Sequence, residues 1–317
     1  MNFWTNLKKP ILVQAPMEDA TDTVFRQMLV KFGSPDVFFT EFTSVDGLLS
    51  KGKNIVSQRL RFTKKEHPIV GQIWGNNPQN FAAVTNMLVS MGFDGIDINM
   101  GCPDRDVMKK ECGARLIENH TLAREIISAV KKEAKNLPIS IKTRLGVKTV
   151  QTKDWINFLL TLPIDAIIIH GRTAKELSKV PAHWEEIGSA VYIRNQKKSQ
   201  TLIIGNGDVS SFDDAQKKAT QYGVDGVMIG RAMFDNPWIF NNKIDPAKIP
   251  LEEKLAYLLT HLRLFQKTWG KEKYFGSLKK LYKMYIANTP GASELRSKLV
   301  RLGTIEETVS YLEKCFL

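Results

Sequence analysis

Gly95-Ile96-Asp97-Ile98-Asn99-Met100-Gly101-Cys102-Pro103 is the stretch on which the fold turns. Its first half is a short apolar run of the kind that forms a parallel strand buried on both faces. Its second half cannot continue that strand. Gly101 permits an unusual backbone turn, and Pro103 biases Cys102 away from helical geometry. A thiol is thereby held on a restrained loop at a strand exit, where the active sites of α/β folds collect. A lone cysteine is otherwise a small buried hydrophobe, so it is the placement of Cys102 that marks it.

Working outward, the same unit recurs. Strands are predicted at Ile11 to Ala15, Val37 to Thr40, Ile69 to Trp74, Gly95 to Asn99, Ile139 to Thr143, Asp165 to His170, Leu202 to Asn206 and Gly226 to Gly230. Helical periodicity lies between them, as at Thr23 to Phe32, Gln79 to Met91, Leu122 to Lys135, Asp154 to Leu162 and Ser211 to Tyr222. Eight strands alternating with helices match an α/β architecture, the (β/α)8 TIM barrel. A doubly wound open sheet is the alternative, but it calls for a glycine-rich first turn. Strand 1 ends Gln14-Ala15-Pro16-Met17 instead.

After Pro237 the pattern is helical only, over Leu251 to Trp269, Lys271 to Asn288, Ser293 to Val300 and Thr304 to Phe316. Gly270 and Thr289-Pro290-Gly291 supply the breaks. The expected organisation is a catalytic barrel over residues 1–240 and a small helical domain over 241–317. From Asn242 onward there are 14 Lys or Arg against 8 Asp or Glu, so a quarter of the chain carries half of its formal charge of +12. Such a surplus favours a polyanionic partner, nucleic acid first. No apolar run approaches a membrane span, no strongly basic amphipathic helix stands out, and the start of the chain lacks a signal-peptide pattern. Three scattered cysteines are too few for a disulfide framework, so a reducing cytoplasm and a monomer are the expectations.

Polar groups stand at nearly every predicted strand exit: Pro16-Met17-Glu18, Glu41, Gln72, Asn99 with Cys102, Lys142 with Arg144, His170 with Arg172, Asn206-Gly207-Asp208, and Gly230-Arg231. A ring of amide, ammonium, imidazole and guanidinium groups at one barrel mouth is a ligand site in outline. The exits of strands 7 and 8 are where many barrels bind phosphate through backbone N–H groups, and Arg231 adds a planar double donor. Lys142 ends an apolar strand, and a desolvated ammonium needs an electron-rich partner. A cofactor ring that gains negative charge on reduction would serve, with Gln72 or His170 at its polar edge.

These residues resemble the tRNA-dihydrouridine synthases, flavin enzymes that reduce specific uridines in tRNA. The resemblance rests on Ala15-Pro16-Met17, Gly71-Gln72, Asp97-Ile98-Asn99-Met100-Gly101-Cys102-Pro103, Gly113-Ala114, Ile141-Lys142-Thr143-Arg144, His170-Gly171-Arg172-Thr173, Gly205-Asn206-Gly207-Asp208 and Ile229-Gly230-Arg231-Ala232, in family order. Pro290-Gly291-Ala292-Ser293-Glu294-Leu295-Arg296 is similar to part of the family's C-terminal RNA-binding domain. The resemblance implies an oxidoreductase that reduces the C5=C6 bond of uridine in tRNA, with FMN as cofactor and NADPH (or NADH) as electron donor. It implies hydride delivery from FMN to C6 and a proton from Cys102 to C5. FMN would be held by Pro16, Met17, Glu18, Gln72, Lys142, His170, Asn206, Gly207, Asp208, Gly230 and Arg231. Asn99 would bind the uracil edge, and Arg144 and Arg172 would lie close to flavin or RNA. Lys279, Lys280, Lys283, Arg296, Lys298 and Arg301 are the expected tRNA contacts of the helical domain. Asp19 and Met108 depart from the family pattern, where many members carry glycine and asparagine. The residues alone leave open a flavin barrel acting on a small molecule, or a non-catalytic RNA-binding barrel.

Overall fold

The computed structural model describes residues 2–287 and 290–316. Asn288 and Thr289, at the predicted helix end and break, lie outside them. Among the described residues nine parallel strands form one sheet: β1 (Ile11–Gln14), β2 (Phe38–Phe39), β3 (Thr43–Ser44), β4 (Ile69–Trp74), β5 (Gly95–Met100), β6 (Ile139–Arg144), β7 (Ala166–His170), β8 (Leu202–Asn206) and β9 (Gly226–Ile229). From β4 to β9 each strand pairs with the next in sequence, and β9 pairs with β1. A parallel bridge from Val13 to Val37, with Gln14 N–H on the Val37 carbonyl at 3.0 Å, closes the ring. The result is the eight-stave α/β barrel that the sequence predicts, with β2 and β3 sharing one stave against β4.

That shared stave differs from the single strand expected at Val37 to Thr40. The reason is local: the Gln14 side-chain carbonyl accepts the Phe39 N–H at 3.0 Å, where a ladder bond would otherwise run. The barrel interior is packed by Ile11, Val13, Phe39, Val70, Ile168, Ile204 and Met228. A short 3-10 turn, Phe3–Asn6, places Trp4 in the same cluster, 1% exposed. Above this core the interior carries a buried polar layer, in which Asp97 of β5 accepts from Ser140 of β6 and Gln72 of β4.

Two compact units divide the chain. One comprises residues 1–18 and 35–230; the other comprises 19–34 and 231–317. The boundary read from the sequence, at 240, keeps the helix Thr23–Phe32 with the barrel, whereas its contacts place it in the helical unit. Asp22 caps it by accepting the Phe25 N–H at 3.0 Å, and also accepts Trp269 Nε1 and Lys273 Nζ, each at 2.9 Å. Phe32 packs its ring against Trp238 and Tyr257 at 4.8 and 5.0 Å. Amphipathicity marks such a helix as packed against something, without saying which neighbour. The remaining helical unit contains Leu251–Trp269, Ala292–Arg301 and Ile305–Phe316. In place of the single helix expected from Lys271, three short turns run over Gly276–Lys279, Lys280–Tyr282 and Lys283–Ile286. No helix among the described residues is long and apolar enough to cross a membrane.

Candidate active site

Strand register places the predicted polar groups side by side. Gln72 pairs with Asp97, Asp97 with Ser140, Asn99 with Lys142, Arg144 with His170, and His170 with Asn206. Side chains spaced by two along a strand share a face, so Asp97 and Asn99 form successive inward layers.

Cys102 sits just beyond β5, partly exposed. Its backbone is held from both sides. The Asn99 side-chain Oδ1 accepts the N–H groups of Gly101 and Cys102 at 3.1 and 2.9 Å, and the Cys102 backbone carbonyl accepts Ala114 N–H at 3.0 Å. Gly113 is required beside it: its φ is +60°, and an added Cβ would stand 2.7 Å from the Cys102 carbonyl oxygen. Burial pushes the thiol pKa up, as does the negative charge of Asp104, against opposing pulls from Arg144 and Lys142. Cys102 is therefore a protonated thiol at neutral pH, suited to giving a proton.

Lys142 is half-buried and donates to Asn206 Oδ1 at 3.3 Å. Burial, with Arg144 nearby, lowers its pKa to about 8, while Asp97 and Cys102 pull the other way. Asn206 is oriented by donating Nδ2 to the Met228 carbonyl at 2.8 Å. These are the groups expected to serve a redox ring: a cation ready to meet developing negative charge, flanked by amides. Beside them Gly207 has φ +128°, and a Cβ there would lie 2.7 Å from that of Ala182. Glycine at 207 is thus required by its backbone conformation and by the packing of Ala182 against it. The cation and amide fit the polar edge of a flavin ring. Met17 lies at the same rim, its Sδ 3.8 Å from where a Cβ on Gly230 would stand.

Several expected ligand contacts are instead engaged within the protein. Arg172, 2% exposed, gives its guanidinium to Asp208, to the Val180 carbonyl at 2.6 Å and to His170 Nε2 at 3.2 Å. Arg144 donates to the carbonyls of Gly101, Thr173 and Leu177 at 2.8, 3.0 and 3.2 Å, tying the loop of Cys102 to the loop after β7. Burial lowers its pKa to about 10. Asn99 is 7% exposed, and both ends of its amide are used, since Nδ2 donates to Gln72 Oε1 at 3.1 Å. These bonds tie the cysteine loop to β4 through Gln72. Glu18 pairs with Arg59, whose Nε lies 3.0 Å away. Pro16 is partly buried just after β1.

Two features were missed from sequence. One is Asp97, fully buried beneath Asn99 and readable in retrospect from the inward spacing of β5. The other is a groove of about 930 Å³ along the loops that follow β5, β6 and β7. It starts at Pro103 and Asp104, next to Cys102. Arg105, Lys109, Lys148, Lys175 and Lys179 line it against only two acids, Asp104 and Asp106, and Met108 lies on its wall. Loops scattered over the sequence build it, so no single run of residues announces it.

In the helical unit the predicted basic residues divide. Lys279 donates to the carbonyls of Val300 and Leu302 at 2.8 and 2.6 Å, closing the end of Ala292–Arg301. Lys283 pairs with Asp235 at 2.8 Å, and Lys298 lies 4.5 Å over the Tyr311 ring. Lys280, Arg296 and Arg301 are exposed. Arg231, also exposed, is the first residue of this unit's second segment. Asp19 adopts φ +53°, a conformation glycine takes without strain and aspartate tolerates.

Comparison with known proteins follows the same lines. The family model described as dihydrouridine synthase matches residues 13–317. A protein named "Probable tRNA-dihydrouridine synthase" from Staphylococcus aureus is 42% identical over 99% of this chain and 95% of its own length. "Probable tRNA-dihydrouridine synthase 2" from Bacillus subtilis is 41% identical over 98% and 96%. Among solved structures, a 2-naphthoyl-CoA reductase complex superposes with a TM-score of 0.57 at 12% identity, covering 76% of this chain and 52% of that one. At that identity the likeness speaks to the barrel fold.

Proposed function

The chain belongs to the dihydrouridine synthase family, and from that premise we propose that it reduces uridine to dihydrouridine in tRNA, with FMN as cofactor and NADPH as electron donor. The observation that carries this reading is the pairing at one mouth of a protonated thiol, Cys102, with a half-buried ammonium, Lys142. When bound, the flavin supplies the hydride that adds to C6 of the uracil ring.

The protein's own groups perform the rest. Hydride addition at C6 leaves negative charge on C5 and O4. The Cys102 thiol gives its proton to C5, and its raised pKa keeps that proton available at neutral pH. Lys142 offsets negative charge at the polar edge of the cofactor beside the amide of Asn206, while Gln72, expected at that edge, is fully buried with its amide bonded to Asp97 and Asn99 and braces the layer beneath. His170 completes that edge, while Gly207, Asp208 and Gly230 offer backbone to the phosphate, with Arg231 as its guanidinium partner and Pro16, Met17 and Glu18 supplying backbone at the first strand exit. The thiolate left on Cys102 is stabilised by the charges of Arg144 and Lys142 until solvent reprotonates it. Arg172 holds His170 and Asp208 in place.

A uridine stacked in tRNA must leave its stack to reach a barrel mouth, at a cost of a few kcal/mol. Phosphate contacts offset that cost. The basic groove beside Cys102 holds the flanking strand, and Lys280, Lys283 and Arg296 of the helical unit, with Lys279 to a lesser degree, add charge for the rest of the tRNA. Purified protein loaded with FMN and supplied with NADPH and unmodified tRNA tests the reading. Dihydrouridine at a defined position is expected. Its absence, with turnover of a free pyrimidine instead, contradicts it and favours a small-molecule flavin enzyme.

A further inference from the structure

Asp97 is a fully buried carboxylate inside the barrel, one layer below Asn99. Each of its oxygens has one donor: Ser140 Oγ at 2.6 Å on Oδ1, and Gln72 Nε2 at 2.7 Å on Oδ2. The chain continues upward. With its NH2 committed to Asp97, Gln72 must face Asn99 with its carbonyl, and it accepts Asn99 Nδ2 at 3.1 Å. Asn99 must then turn its own carbonyl towards the loop, where it takes the N–H groups of Gly101 and Cys102. An amide can be inserted into such a chain either way round, but here both ends are fixed. A carboxylate that accepts stands at the bottom, and backbone groups that can only donate stand at the top. Both ends demand the same orientation of the two amides between them.

We propose that Asp97 is a positioning residue for Cys102, acting through Gln72 and Asn99 to hold the thiol's loop in its reactive geometry. The inference rests on Cys102 being the proton donor. It uses no direct contact between Asp97 and the thiol. Removing the carboxylate leaves Gln72 Nε2 as a buried donor without an acceptor, which drives the amide to rotate or to admit water. Either change loosens the acceptor that holds Cys102. Protonation of Asp97 does not break the chain, because Oδ1 can donate to Ser140 Oγ while Oδ2 continues to accept Gln72.

Two variants separate this role from the alternatives. Asp97→Asn keeps an acceptor for Gln72 and can donate to Ser140, but it removes the charge felt by Lys142. Asp97→Leu fills the space without an acceptor and strands the buried donors of Gln72 and Ser140, which costs stability, so its melting temperature is measured beside its activity. Asp97→Asn should retain kcat within about fivefold, whereas Asp97→Leu should lose about 30-fold or more with its KM for tRNA nearly unchanged, the range seen when supporting hydrogen bonds are removed. Independently of activity, hydrogen–deuterium exchange in residues 99–105 should quicken in Asp97→Leu and not in Asp97→Asn, with β6 unaffected in both. If Asp97→Asn is as impaired as a charge loss at Lys142 would make it, or if Asp97→Leu keeps wild-type kcat and exchange, the proposal is wrong. Should Asp97→Leu fail to fold, the Asp97→Asn result still decides. Full activity in Cys102→Ala would sink the acid assignment alone, leaving the exchange result to judge the hydrogen-bond chain.

Discussion

The barrel mouth and the helical unit both bury polar groups, but to different ends. At the mouth, Lys142 and the Cys102 thiol carry shifted pKa values and remain partly exposed. In the helical unit, His261 is 1% exposed and its Nδ1 lies 2.7 Å from the hydroxyl of the fully buried Tyr285. Asp22 is likewise spent on Trp269 and Lys273. There the buried polar groups join helices to one another. A perturbed ionisable group marks function only where the geometry leaves it something to act on.

The largest effect that would sharpen this contrast comes from Lys142. Lys142→Met should lower turnover by about 10- to 100-fold, because it removes the cation that meets charge at the cofactor's edge. It should also reduce the yellow colour retained per mole of purified protein. Unchanged colour and turnover would break the assignment of the mouth as the flavin site. Next come the two basic surfaces. Reversing charge in the groove with Lys175→Glu and Lys179→Glu should weaken tRNA binding about tenfold and flatten its dependence on salt, since each phosphate contact contributes to that slope. Arg296→Glu should act similarly, whereas Lys279→Glu should first lower the melting temperature, given its bonds to the Val300 and Leu302 carbonyls. Equal salt slopes in wild type and the groove variants would move the RNA surface elsewhere.

The smallest effect concerns pH. Burial lowers the His261 pKa to about 4, below its ordinary 6.5. The unfolded chain then binds the proton more readily than the folded one, so stability present above pH 6.5 is lost as pH falls towards 4. His261→Leu should flatten the fall in melting temperature over that interval. A slope identical to wild type would show that other groups govern it.

How much of this was legible in the sequence differs between the same two regions. In the barrel, strands such as Leu202–Asn206 appear where short apolar runs predict them, and a strand exit is a place as well as a position. Gln72, Lys142 and Asn206 could therefore be assembled on paper. Whether a polar side chain faces the ligand or braces its neighbour could not. Asn99 bonds to the backbone of its own loop, and Arg144 and Arg172 bond to carbonyls of loops folded against them. In the helical unit, periodicity identified Ile305–Phe316 and misjudged the stretch from Lys271, which winds as three short turns. Charge counts gave its sign but not its roles: Lys279 looks like Lys280 in sequence, and only the first closes a helix end.

The central claim is that the Cys102 thiol protonates C5 of a uridine presented at the barrel mouth. Its most direct test is a single turnover, mixing the FMN-loaded protein, reduced beforehand, with unmodified tRNA and following flavin reoxidation and dihydrouridine together. In Cys102→Ala both should slow by at least about 100-fold, the loss expected of a missing general acid, while tRNA affinity and cofactor content match wild type. Dihydrouridine formed at the wild-type rate in that variant would contradict the account.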